Sequence, residues 1–164
     1  MDFQEAAARA DSGDVGAMME AARMLREGDG VGKDAACAAG YYRRAAEAGS
    51  VQAMSSLGYM LIVGEGVEAD PSEAEGLLSK AAEAGDTGAM CNLGFLFSGN
   101  DPARSLGFFE RAASMGSPKA MKNLGAMYSA GQGVGMDKAR AAEWYSKAVD
   151  LGDADSMCVL ASML

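Results

Sequence analysis

The chain is built from a unit of about 36 residues that recurs along its length. Aligned on an Ala-Met dipeptide, the copies begin at Ala17, Ala53, Ala89 and Ala120, and Ser156 opens a further copy. Successive copies start 36, 36, 31 and 36 residues apart. This period is typical of helical repeat proteins, in which one unit cannot bury its apolar face alone. The sequence therefore predicts an all-α fold in which successive copies stack on one another.

Each copy carries the signals of two helices joined by a glycine-containing turn. Apolar residues recur every three or four positions in the first helix, as at Met54, Leu57 and Leu61. A glycine followed by Asp or Ser precedes each first helix, and an Asp precedes each second helix, which indicates helix stops and N-caps. The predicted N-caps are Asp14, Ser50, Asp86, Ser117 and Asp153 for first helices, and Asp34, Asp70, Asp101 and Asp137 for second helices.

The repeat pattern predicts a single repeat domain over residues 1–164. Its predicted parts are a half repeat at 3–16, repeats at 17–52, 53–88, 89–119 and 120–155, and a terminal helix at 156–164. The third repeat lacks five residues between Phe95 and Asp101, where the other repeats carry a Gly-x-Gly-Val turn. A shorter connection between its two helices is therefore expected.

Two recurring features predict how the helices of a repeat pack. Glycine occurs inside the first helix at Gly58, Gly94 and Gly125, although it costs a helix about 1 kcal/mol against alanine. This recurrence predicts the close approach of a neighbouring helix. The second helices carry two bulky residues in a row, such as Trp144 and Tyr145, which we expect to pack between repeats. Methionine is interpreted as core at its repeating positions, which are Met18, Met54, Met90, Met121, Met157 and Met24, Met60, Met127, Met163.

Charge and residue content exclude several classes of function. The chain has 14 Lys and Arg against 23 Asp and Glu, a net charge of −9, whereas a nucleic-acid surface needs a basic stripe. It contains no histidine, so a nucleophile activated by a histidine base is excluded. The glycine turn at 28–34 has Lys33 where a dinucleotide fingerprint needs a glycine, and it follows a predicted helix instead of a strand. No phosphate or cofactor site is predicted.

The three cysteines, Cys37, Cys91 and Cys158, lie in different copies of the unit. They are interpreted as buried, reduced thiols that pack as small hydrophobes, with no metal site. Nowhere do 18 uninterrupted apolar residues occur, and the N-terminus has no apolar run behind a basic start. We expect a cytoplasmic protein that binds no membrane, or a secreted or periplasmic one if an export signal has been removed.

The copy at residues 120–155 is the most regular. Its recurring residues are Ala120, Leu124, Gly125, Tyr128, Gly131, Gly133, Val134, Asp137, Ala141, Trp144, Tyr145, Lys147, Ala148 and Gly152. This pattern resembles the Sel-one-like repeat, a relative of the tetratricopeptide repeat. The resemblance implies a right-handed α-solenoid of antiparallel helix-turn-helix repeats that serves as an adaptor for protein or peptide partners. Some cysteine-rich members of that family carry one disulfide per repeat, a pattern from which this sequence departs.

The resemblance also implies a binding groove, because the third, fourth, seventh and tenth residues of first helices face the concave side in tetratricopeptide-like folds. Tyr59, Ile62 and Phe95 are apolar at such positions, and the asparagines can donate to and accept from a peptide backbone. The predicted partner-binding groove comprises Arg23, Ser56, Tyr59, Ile62, Asn92, Phe95, Lys122 and Asn123. The alternative is that Tyr59 and Phe95 only widen the core between helices.

The sequence thus predicts a non-enzymatic protein or peptide interaction module, an adaptor or scaffold. One alternative is a weak hydrolase of cell-wall or β-lactam-like substrates, as suggested for some relatives of the family. Another is a self-associating structural scaffold, because the sequence gives the last helix no second helix to cover Leu160, Met163 and Leu164. Either a longer array continues beyond this helix, or it docks on another copy and forms a homodimer.

Overall fold

The computed structural model describes residues 1–163, in which ten α-helices and no strands are formed. The helices are α1 Phe3–Asp11, α2 Val15–Glu27, α3 Ala35–Glu47, α4 Val51–Val63, α5 Pro71–Glu83, α6 Thr87–Phe97, α7 Pro102–Ser114, α8 Pro118–Ala130, α9 Lys138–Asp150 and α10 Ala154–Met163. Helices α2, α4, α6, α8 and α10 are first helices of the repeats, and α3, α5, α7 and α9 are second helices. The all-α fold of helix-turn-helix repeats predicted from the sequence is confirmed.

The helices form two compact units, which divide within α6. The first unit, Met1–Ala89, holds helices α1 to α5, and each of these helices packs on the next. The second unit begins at Met90, and within it α7, α8, α9 and α10 pack consecutively.

The predicted N-caps are confirmed at all nine positions. The Asp14 side chain accepts from the Ala17 amide at 3.0 Å, and the Asp70 side chain accepts from the Glu73 amide at 2.9 Å. The other seven caps make the same bond to the amide three residues ahead. Each bond satisfies one amide that the helix leaves unpaired at its N-terminus, so the repeat boundaries are fixed by local chemistry.

The glycines inside the first helices are places where a second helix approaches closely, as predicted. A Cβ atom built on Gly58 would lie 2.5 Å from Cγ of Leu78 in α5. In the second unit, Gly94 faces the ring of Phe109 and Gly125 faces the ring of Tyr145 in the same way. Each of these partners is the second member of a bulky pair and is buried. In each of these repeats, one bulky side chain of the second helix therefore packs directly against a glycine of the first helix.

The Gly-x-Gly-Val turn also packs tightly. The second glycine of the turn has positive φ, which is +69° at Gly66 and +70° at Gly133. A Cβ atom on Gly66 would lie 2.3 Å from the carbonyl of Ala35, at the start of α3, and one on Gly133 would lie 2.4 Å from the carbonyl oxygen of Pro102. The turn of one repeat thus rests on the backbone that begins the second helix of the preceding repeat.

The third repeat is five residues shorter than the others, and the difference is divided between its first helix and the connection that follows. Helix α6 has 11 residues where the other complete first helices have 13. Residues 98–101 join α6 to α7, whereas residues 64–70 join α4 to α5. The rings of Phe97 and Phe108 stack across this short connection with their centroids 5.9 Å apart, and the Arg104 guanidinium lies 3.9 Å from the Phe97 centroid.

Two fully buried serines of the second unit stand where the other repeats have alanine. Ser105 in α7 donates its hydroxyl to the Gly94 carbonyl at 2.6 Å. Ser156 in α10 lies beside Asp153, and the hydrogen bonds from its side chain and from its amide lower the pKa of Asp153. We therefore expect Ser105→Ala to lower the free energy of unfolding by about 1 kcal/mol, because it removes the donor to the Gly94 carbonyl.

Guanidinium denaturation followed by the fluorescence of Trp144, the single tryptophan, reports on the unit that holds both serines. An unchanged free energy of unfolding in Ser105→Ala would contradict the role of its hydroxyl in the packing of α7 on α6.

Candidate functional site

In the first unit, the predicted groove residues lie on α2 and α4. Arg23, Ser56, Tyr59 and Ile62 are all half-buried. The Arg23 guanidinium donates to Glu20 at 2.7 and 3.1 Å, and it also bonds to Glu27 and to Asp29. These hydrogen bonds raise the pKa of Arg23, and the bond to Glu20 contributes most. The same bond from Arg23 lowers the pKa of Glu20. Arg23 is therefore held by carboxylates of its own chain.

A second arginine lies at the tenth position of its first helix, one of the positions expected to face the groove. Arg26 in α2 donates to both oxygens of Glu65, at 2.9 and 2.8 Å, and its guanidinium lies 5.4 Å from the ring centroid of Tyr59. The hydrogen bond from Arg26 lowers the pKa of Glu65. The pair joins residues 39 positions apart, which is one repeat period plus about one helical turn. Opposite charges at this spacing could have been used to predict the ion pair from the sequence.

In the second unit, α6 and α8 carry the remaining predicted groove residues. Lys122 donates to Asp155 at 2.9 Å and lies 3.8 Å from Asp153, and the bond to Asp155 raises the pKa of Lys122. The Asn123 side-chain amide donates to the Lys119 carbonyl at 2.9 Å. Asn92 is half-buried, whereas Phe95 is 51% exposed. Phe95 is thus a large apolar side chain that the fold presents to solvent.

We use the term first-helix face for the solvent-exposed surface of the first helices in each unit. On the face of the first unit, Arg23 and Arg26 are surrounded by four carboxylates, those of Glu20, Glu27, Asp29 and Glu65. On the face of the second unit, Lys122 lies between the two carboxylates of Asp153 and Asp155. Each of these clusters therefore carries more negative than positive charge.

The predicted self-association residues Leu160 and Met163 are half-buried. They pack against Tyr128, Ala141 and Tyr145 of α8 and α9. Leu164 lies outside the residues that the structure describes. The large apolar side chains that α10 exposes are instead Met157, at 58% exposure, and Val159, at 36%.

The cysteine prediction is corrected in part. All three cysteines are free thiols and Cys91 is buried, as predicted, but Cys37 and Cys158 are exposed. The prediction of burial was wrong for these two because each lies on the solvent side of its helix. Within residues 1–163, no group of three side chains converges in a way that could hold a metal ion. No helix in the same range is long and apolar enough to cross a bilayer.

These features define an α-helical repeat protein of the solenoid class, with aromatic and charged side chains on its first helices. The family model of the Sel1 repeat matches residues 15–50, 51–86, 87–117 and 118–153. The chain belongs to the Sel1 repeat family. Proteins of this family generally mediate protein–protein interactions and are generally non-enzymatic scaffolds. A search of curated proteins found no significant match.

Solved structures of Sel1 repeat proteins are similar to this one. A protective antigen present in uropathogenic Escherichia coli strains, displaying an SLR fold, is 34% identical with a TM-score of 0.81; the match covers 95% of this chain and 34% of that protein. A Sel1 repeat protein from Oxalobacter formigenes is 27% identical with a TM-score of 0.87. The match covers 96% of this chain and 65% of that protein. Helicobacter pylori cysteine rich protein B is 25% identical with a TM-score of 0.58. The match covers 78% of this chain and 96% of that protein. The chain thus spans about a third of the first relative and less than two thirds of the second.

Proposed function

We propose that the chain is a non-enzymatic interaction module whose first-helix faces bind a protein segment carrying both basic and apolar side chains. The observation that supports this most is Phe95, a phenyl ring 51% exposed on a first helix. Interfaces are commonly anchored by aromatic side chains that a partner desolvates fully. Covering the exposed half of this ring would contribute about 1 kcal/mol from apolar burial alone.

Two asparagines on the first helices of the same unit suit a peptide backbone. Asn123 uses its amide nitrogen on the Lys119 carbonyl, so its side-chain oxygen is the atom that can accept from a partner N–H group. Asn92 lies on the same helix as Phe95, three residues before it and hence on the same side. A partner in extended conformation could place one apolar side chain against Phe95 and bond its backbone beside that ring.

The charges determine which partners fit. Arg23, Arg26 and Lys122 are each paired with acidic side chains of the chain, and the acidic side chains are in excess. An incoming Lys or Arg gains attraction from the carboxylates, whereas an acidic segment is repelled by them. The net charge of −9 acts in the same direction at longer range and speeds the encounter with a basic partner.

Selection from a random peptide library against the intact chain tests this proposal. We expect the enriched peptides to combine Lys or Arg with aromatic or branched apolar residues, and their affinity to fall as the salt concentration rises. Enrichment of acidic peptides, or binding that does not respond to salt, would contradict the proposed charge complementarity.

A further inference from the structure

The first unit contains an open cavity over α4, between the two second helices that pack on it. Helices α3 and α5 both contact α4. The cavity has a volume of about 410 Å³, which is within the range of sites that bind small ligands and side chains. All three helices contribute to its lining, which includes Arg43, Met54, Leu57, Glu73, Leu77 and Lys80. We call this cavity the α3–α5 groove.

The second repeat has a smaller side chain at this place than the other repeats. The seventh residue after the N-cap of the second helix is Leu77 in this repeat, whereas it is aromatic in the other three, at Tyr41, Phe108 and Trp144. The groove is therefore lined by a leucine at the position where every other repeat carries a ring.

The methionine beneath the groove is also less covered than its counterparts. Met54 is half-buried. The methionines at the same position of the other complete first helices are 6%, 0% and 8% exposed, at Met18, Met90 and Met121 respectively. Because α3 and α5 are both present on either side of Met54, the extra exposure comes from the unfilled groove. Space for one aromatic ring thus remains open over an apolar floor.

A basic side chain on the rim is positioned to contact a ring in that space. Three residues after the aromatic position, Arg44 lies 5.5 Å from the ring centroid of Tyr41, and Lys147 lies 4.3 Å from that of Trp144. Lys80 is the counterpart of both cations, it is exposed, and it lines the groove. A ring supplied by a partner would receive from Lys80 the cation–π contact that the other repeats make internally.

The groove continues along α5 into a second, acidic cavity. Arg43 and Glu73 form an ion pair that lines both cavities. The second cavity has a volume of about 520 Å³, and Glu68 and Asp70 line it as well. Three carboxylates against one guanidinium make this end negative, so it attracts a Lys or Arg side chain and repels an acidic one.

The distance between the two ends sets the spacing of the partner's side chains. Asp70 and Leu77 are seven positions apart along α5, which is about 10 Å at the rise of an α-helix. An extended chain covers about 10 Å in about three residues. A partner in extended conformation therefore reaches both ends when its aromatic and basic residues are about three positions apart.

We propose that the α3–α5 groove binds a partner protein segment in extended conformation, which inserts an aromatic side chain over Met54 and places a Lys or Arg at the acidic end. The groove is formed mainly by second helices of the first unit, so this proposal does not depend on partner binding by the first-helix faces.

The acetylated and amidated tetrapeptide Trp-Gly-Gly-Lys is the probe, titrated into the intact chain with isotope-labelled methionine methyl groups. We expect a Kd on the order of 1 mM for so short a segment. The ring current of the bound indole should shift the Met54 methyl signal upfield. The methyl signals of Met18 and Met121 are internal controls that should not move, since these side chains are buried.

Two variants and a second peptide test the assignment. Leu77→Phe gives the second repeat a ring at the position where the other repeats have one, so it should fill the groove and weaken the probe about tenfold or more. Lys80→Ala changes only an exposed side chain and should weaken the probe about threefold. The same peptide with Glu in place of Lys should also bind about threefold or more weakly.

Phe95→Ala is the control that separates this site from the first-helix faces, and it should leave the affinity of the probe unchanged. An unshifted Met54 signal at about 10 mM probe would overturn the proposal. Undiminished binding in folded Leu77→Phe, equal affinity of the Lys and Glu peptides, or a loss of binding in Phe95→Ala would overturn it as well.

Discussion

Replacing Gly66 with alanine is expected to lower the free energy of unfolding of the first unit by about 3 kcal/mol or more. About 1 kcal/mol of this comes from the left-handed backbone conformation, which alanine tolerates poorly. The remainder comes from a Cβ atom that would lie 2.3 Å from the Ala35 carbonyl. Because that group is backbone at the start of α3, it cannot yield by a side-chain rotation, and the turn and the helix must separate.

Gly30 supplies the matched control for Gly66. It holds the same position in the turn of the preceding repeat, and its φ of +70° compares with +69° at Gly66. The nearest atom to its Cβ position is the methyl carbon of Met24 at 3.6 Å, an ordinary van der Waals distance. Gly30→Ala should therefore cost only about 1 kcal/mol. Chemical denaturation followed by circular dichroism compares the two variants, and equal losses would show that the turn does not rest on the preceding repeat.

Alanine substitution of Gly58 and of Gly76 should change stability in opposite directions. Both glycines lie inside helices of the first unit, so alanine gains about 1 kcal/mol of helix propensity at either site. At Gly58 the new methyl group would lie 2.5 Å from Cγ of the fully buried Leu78, which cannot retreat. At Gly76 the new methyl group would have no atom of a neighbouring helix within 4 Å.

We expect Gly76→Ala to stabilise the unit by about 0.5–1 kcal/mol, and Gly58→Ala to destabilise it by about 1–2 kcal/mol after the gain in propensity is counted. Amide hydrogen exchange in α4 and α5 measures both effects locally. Faster hydrogen exchange in both variants, or slower exchange in both, would contradict the close packing of Leu78 against Gly58.

The sequence was sufficient to predict the helices and their ends, because each boundary depends on one residue and its nearest amides. Asp14 and Asp70 cap their helices whatever lies elsewhere in the chain. The close approach at Gly58 was also predictable, since glycine lowers helix stability and its recurrence at one helical position indicates that a side chain there would meet a neighbouring helix. Which member of a bulky pair would occupy the space depends on the rotation of one helix against another, and a linear pattern does not contain that angle.

The candidate site was predictable in position and less so in its interactions. The repeat register placed Tyr59 and Phe95 on first helices, but the tyrosine turned out half-buried under Arg26 and the phenylalanine exposed. The partners of Arg26 and Lys122 were missed because Glu65 and Asp155 lie 39 and 33 positions further along the chain. The exposure of Cys158 was missed because its counterpart in the third repeat, Cys91, is buried. The Cys91 sulfur lies 3.8 Å from the Ser117 hydroxyl at the start of α8, so position in a repeat predicts burial only where a neighbouring helix covers the side chain.

The most direct test of the proposed function is the affinity of a selected basic peptide for two variants of matched exposure. Phe95 is 51% exposed on a first helix, and Met115 is 52% exposed at the end of the second helix α7. Calorimetric titration should show that Phe95→Ala weakens binding about tenfold, equivalent to about 1.4 kcal/mol, while Met115→Ala changes it less than about twofold. Unchanged binding in a folded Phe95→Ala variant, or an equal loss in Met115→Ala, would contradict the assignment of the first-helix face as the binding surface.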